Sequence, residues 1–125
     1  EADMSAFIGS MGAAGGLPPT SVLAETGAAE GEIDVTIGTS KAPAGWTLTA
    51  VVAVAIHDRD PSAPPTTFAV EGSVENPDLE SEATVTLTGA VTGEDYVVSA
   101  WTVWQKANGD TAYGASLTAP IVAAG

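Results

Sequence analysis

The sequence predicts an all-β protein: a sandwich of about seven antiparallel strands behind an irregular N-terminal arm. Three observations predict it. Beyond residue 32, apolar residues alternate with polar or small ones over most of the chain, which is the period of a strand with one buried face. Fourteen glycines and eight prolines break this pattern at short intervals across the 125 residues, as turns between strands require. Lys and Arg together number only 3, so two good helix formers are nearly missing, while Val and Thr, which suit strands, are common.

Taken in order, residues 1–31 read as the arm. They are rich in Ala and Gly, contain Pro18-Pro19 and hold no sustained period. Met4, Phe7, Ile8 and Met11 are spaced to share one helical face, but Gly9, Gly12, Gly15 and Gly16 weaken an isolated helix. A short helix or turn that is stable only when docked fits both facts. Two docking sites stay open, its own domain or a neighbouring subunit. The sandwich is expected over 32–125. Ile33, Val35 and Ile37 alternate with Asp34 and Thr36 as a half-buried strand. Lys41 to Gly45 is turn chemistry. A long strand follows at 46–57, with Trp46, Leu48, Ala50, Val52, Val54 and Ile56 on its apolar face and the other face nearly as apolar. Three prolines make Asp58 to Pro65 a loop. Phe68, Val70 and Val74 mark a strand at 66–74, and Glu75 to Glu82 is an acidic loop. Ala83, Val85 and Leu87 alternate with threonines. Gly89 to Asp95 turns the chain into a strand with Tyr96, Val98, Ala100 and Thr102 on one face. Asn108-Gly109-Asp110 is a hairpin signal. The last strand is expected at 112–122, at an edge or bent late because of Pro120.

Charge and composition exclude whole classes of function. The 16 acidic residues leave a formal net charge of −13, so the chain cannot neutralise a run of phosphates or settle on anionic lipid, and neither nucleic acid nor membrane is expected as a partner. The acidic excess is read as a solubility device, suited also to a salty medium that screens self-repulsion. There is no cysteine, which removes disulfides, thiolate metal sites and cysteine nucleophiles. A single histidine removes mechanisms that need two. The chain opens on Glu1, compatible with a removed leader and with an extracellular or virion-surface location.

Several clusters are weighed as sites. In His57-Asp58-Arg59-Asp60 a carboxylate beside a histidine suggests base chemistry. Adjacent strand residues point to opposite faces, however, so a solvated strand end with a local ion pair is the stronger reading. Asp58, Asp60, Asp78 and Glu80, with Glu75 and Glu82 nearby, offer hard oxygens for a calcium ion at one end of the sandwich, although the D-x-D-x-D-G pattern is missing. No other cofactor is indicated. Glu94 and Asp95 are adjacent turn residues and cannot face each other across a cleft as a glycosidase pair must. Trp101 falls on the face opposite Tyr96, Val98 and Ala100 and is expected to point outward. Together with Trp104 it is a candidate anchor for a partner or a sugar ring, or a patch covered by the arm or by a neighbouring subunit. Trp46 reads as core at a strand start.

The stretch Thr86-Leu87-Thr88-Gly89-Ala90-Val91-Thr92-Gly93-Glu94-Asp95-Tyr96 resembles the fibronectin type III family and related immunoglobulin-like domains. In that family a strand passes through a short Gly-containing turn to a tyrosine whose hydroxyl bonds back to upstream backbone. Tyr96 matches that tyrosine, Gly93 the turn, and Tyr113 to Val122 the closing strand, whereas Ala90 stands where the family usually has leucine. The resemblance implies an immunoglobulin-like sandwich that displays, spaces or sticks, and that is not an enzyme. The expected role is therefore structural. We expect a protein on the outside of an assembly, such as a phage capsid decoration or other virion surface protein, docked through Met4, Phe7, Ile8 and Met11 on capsid or neighbouring subunits. The alternative is a secreted bacterial or archaeal adhesin or filament-subunit module binding glycan or protein through Trp101 and Trp104.

Overall fold

The computed structural model describes residues 16–58 and 69–125. The described chain forms nine strands: β1 (Ser21–Thr26), β2 (Ile33–Gly38), β3 (Thr47–His57), β4 (Ala69–Glu75), β5 (Glu82–Leu87), β6 (Asp95–Gln105), β7 (Thr111–Tyr113), β8 (Leu117–Thr118) and β9 (Val122–Ala123). One sheet has the order β1-β2-β5. The other has the order β4-β3-β6-β7, with β8 and β9 continuing the β7 edge along β6. All pairings are antiparallel. Ile33, Val35, Ile37, Val85 and Leu87 of the first sheet meet Val51, Ala53, Ala55, Tyr96, Val98 and Ala100 of the second in one dry core. The architecture is a two-sheet antiparallel β-sandwich, as the alternation and the turn spacing predict, of the immunoglobulin-like kind that the resemblance implies.

Four details differ from the expectation or refine it. Ser21–Thr26, assigned to the arm, pairs with β2 along its whole length, so the sandwich starts ahead of residue 32. The upstream residues are also seated on it: the Thr20 N–H donates to Gly38 O at 3.0 Å. The apolar arm residues Met4, Phe7, Ile8 and Met11 lie outside the described residues, and so do Arg59 and Asp60.

The second detail concerns β3. A register shift between Leu48 and Ala50 leaves Thr49 as the extra residue of a bulge, so that Leu48 is inward opposite Trp104 and Val51 inward opposite Thr102, three residues apart. Beyond it the inward row is Val51, Ala53 and Ala55, and the larger Val52, Val54 and Ile56 face out. The sequence reads both faces of this strand as apolar and does not choose between them.

Third, the last strand is three short pieces. The chain leaves the ladder around Gly114 and again at Pro120, which has no N–H to donate.

Fourth, the corner before β6 forms as the resemblance implies. The buried Tyr96 hydroxyl accepts the Val91 N–H at 2.8 Å, and Gly93 supplies the positive φ of 79° that the turn needs. The hairpin between β6 and β7 turns on Gly109, at φ 93°.

Candidate interaction surface

The outer face of the β4-β3-β6-β7 sheet carries the strongest functional signal. The bulge in β3 turns Val52, Val54 and Ile56 to this side, and the alternation of β6 adds Val97, Ser99, Trp101 and Val103. Cross-strand register sets Trp101 beside Val52 and Ser99 beside Val54. It also sets Tyr113 of β7 beside Val103. None of these eight side chains is charged. Ile56 and Tyr113 are 45% and 44% exposed, and Trp101 is half-buried among its neighbours. Along one margin β4 places Glu71 next to Val54, Ser73 next to Val52 and Glu75 next to Ala50. On the opposite margin Thr118 and Ser99 share a hydroxyl–hydroxyl bond of 2.9 Å. The face is thus an apolar centre around one tryptophan, with an acidic margin on one side and a neutral one on the other. The small alanines of β3 and β6 fill the core while the larger β-branched residues look outward. Burial within this chain alone would favour the reverse.

Trp104 does not join Trp101. It is fully buried and lies on the inner face with Thr102, so the expectation of an exposed pair is corrected. Residues three apart on a strand point to opposite sides. The Trp104 indole N–H donates to Leu17 O at 3.1 Å and to Thr102 Oγ1 at 3.0 Å. Thr102 Oγ1 in turn donates to Leu17 O at 2.6 Å. A Cβ on Gly16 would run into the Trp104 ring, and one on Gly114 into Thr102 Oγ1 and Leu17 O. The root of the arm is therefore latched to its own domain by a carbonyl that takes two buried donors.

The histidine cluster takes a different form from the expected solvated end. His57 is buried, its ring lies 4.9 Å from that of Tyr96, and its Nε2 is 3.2 Å from Glu94 Oε1. Its Nδ1 has no partner among the described residues. Asp58 is exposed, and among the described residues it bonds through its backbone, its N–H donating to Asp95 O at 2.8 Å. Among the described residues no group of three acidic or histidine side chains could hold a metal. The proposed calcium ligands are kept apart by topology. Asp58 follows the end of β3, whereas Asp78 and Glu80 lie in the β4–β5 loop, whose Asn76 N–H bonds to Thr49 near the start of β3. Eight residues of strand lie between Thr49 and Asp58, which puts the two about 30 Å apart at 3.3 Å per residue. One ion cannot be shared across that span.

Trp46 precedes β3 and is only half-buried, so it lines an end of the sandwich more than it fills the core. Its ring stands edge-on to Trp104 at 6.5 Å, and Lys106 Nζ lies 5.5 Å from its centroid.

Among known proteins, no family model and no curated protein matches this sequence. The solved structure of murine CRIg is similar in fold at 13% identity and a TM-score of 0.42, over 86% of this chain and 98% of that one.

Proposed function

We propose that this chain is a non-catalytic interaction module that docks on a protein partner through the outer face of its β4-β3-β6-β7 sheet. The observation that carries the reading is the outward row Val52, Val54 and Ile56 beside Trp101, an uncharged apolar face on a chain of net charge −13. A tryptophan at the centre of such a patch is the kind of residue that dominates docking energy. The assembly we infer is a particle surface, with the protein as a capsid decoration or other virion surface protein. The sandwich holds the partner face, and the acidic loops face solvent and keep particles apart. Within immunoglobulin-like folds, the split into β1-β2-β5 and β4-β3-β6-β7 and the Tyr96 corner support a fibronectin type III-like module.

The test combines fractionation with one substitution. Native material is sedimented through a density gradient, the fractions are probed for this chain, and positive fractions are imaged. The expected result is co-migration with icosahedral or tailed particles, and loss of co-migration for Trp101→Ala. That loss corresponds to about 2 kcal/mol or more of docking energy. Co-migration of the variant at the wild-type level would overturn the docking face. Migration of the wild-type chain with filaments or cell envelope would replace the virion reading with the adhesin or filament-subunit reading. That second reading rests on the same aromatic at the sheet surface.

A further inference from the structure

The start of β3 and the β4–β5 loop enclose a groove remote in function from the docking face. Trp46, Thr47 and Leu48 form one wall, and Asn76, Pro77, Asp78 and Leu79 the other. Four features make it a prepared site. The loop is held rigidly: Thr39, itself buried, donates from Oγ1 to Asp78 O at 2.6 Å, and accepts the Ser81 N–H at 3.1 Å. Glu80 N–H donates to Ser40 O at 3.3 Å and Asn76 N–H to Thr49 O at 2.8 Å. Two of its non-glycine residues, Asn76 and Glu80, stand at φ 50°, a conformation that costs energy and persists only where the surroundings enforce it. Trp46 is fixed in orientation by Trp104 and Lys106. Leu79 is 43% exposed, which sets an aliphatic group among the residues that line the groove with Trp46.

The polar groups on the rim are unused. The side chains of Thr47, Asn76 and Asp78 have no hydrogen-bond partner among the described residues. A hydroxyl, an amide and a carboxylate therefore stand around an aromatic and an aliphatic surface. This combination matches a pyranose ring, which pairs an apolar C–H face with a hydroxyl edge. Peptide strands, in contrast, need an open row of backbone groups, and this groove is walled by side chains of a turn. Charge narrows the class further. Asp78 lies in the rim, and the whole chain carries −13, so uronate, sulfate and phosphate groups are repelled.

We propose that this groove binds a neutral saccharide, with Trp46 stacking on the ring and Asn76, Asp78 and Thr47 bonding its hydroxyls. The site is separate from the docking face and does not depend on it.

The full-length chain, labelled with nitrogen-15, is titrated with neutral gluco-, manno-, galacto- and N-acetylglucosamine oligosaccharides, and with a glucuronate oligomer as the charged control. At least one neutral series should give saturable shifts confined to 46–48 and 76–79, and the control should give none. Asp78→Ala keeps the backbone carbonyl that Thr39 binds, so it should fold normally and weaken the saccharide about tenfold, as loss of a charged hydrogen-bond partner does. Trp46→Ala should abolish binding. Absence of shifts with every neutral series, shifts centred on Trp101, or unchanged affinity in Asp78→Ala would each overturn the proposal.

Discussion

Tyr96 shows what one atom contributes at the residue scale. Its hydroxyl is the acceptor for a Val91 N–H that would otherwise turn inward unpaired. Tyr96→Phe keeps the ring in the core and removes the hydroxyl that holds the Val91 N–H, so we expect a loss of about 1–2 kcal/mol, read as a lower urea midpoint with unchanged slope. A loss within error would mean that the corner is held by packing alone. This residue was legible through the resemblance of residues 86–96 to the fibronectin type III corner, in which a tyrosine follows a Gly-containing turn. Leu17 was not. Its role is carried by a backbone carbonyl, which takes the Thr102 and Trp104 donors whatever its side chain. Thr39 was equally silent: an isolated threonine in a polar stretch gives no sign that it ties down a loop 39 residues away.

The strands were legible in proportion to the contrast between their two faces. β2, β5 and β6 alternate cleanly and stand where the period predicts. β1 was missed because its hydropathy is inverted. Leu23 points outward at 52% exposure, while the smaller Val22 and Ala24 pack against the core. β3 was found as a strand but its inner face was not, since both faces are apolar and a bulge, invisible to alternation, changes the parity partway along. The arm boundary matters in practice. A chain starting at residue 16 keeps every described contact and should fold as a monomer. A chain starting at residue 32 loses β1 and bares the β2 edge beside Val35, a template for pairing with other chains. We expect it to aggregate, and size-exclusion chromatography of the two truncations checks this. Elution of the shorter chain as a folded monomer would show that β1 is dispensable.

The whole molecule is organised along the axis of β6. Gly16 is seated against Trp104 near the end of that strand, whereas Gly125 is bonded at the other end, donating to Glu32 O and accepting the Gly31 N–H, next to β9 on Tyr96. The proposed docking face runs along the same axis, and only part of it was readable: the period of β6 put Trp101 outward, but the outward valines of β3 were not placed. Alternation specifies that two sheets pack, but the choice of which apolar row faces out depends on the single-residue offset in β3. The axis has a mechanical meaning. Tension applied between residues 16 and 125 would drag β1 along β2 and β9 along β6, parallel to the strands and across hydrogen bonds that lie perpendicular to the pull. The bonds of each terminal strand would then bear the load together and not peel one at a time. Stretching the protein from these two points in a force spectrometer should require a higher peak force than stretching it between residues 93 and 125, which lie at the same end of the paired β6 and β9 and would peel that pair bond by bond, and an equal or lower peak would refute the shear geometry. A module clamped in this way would stay folded under a pull that separates its two ends.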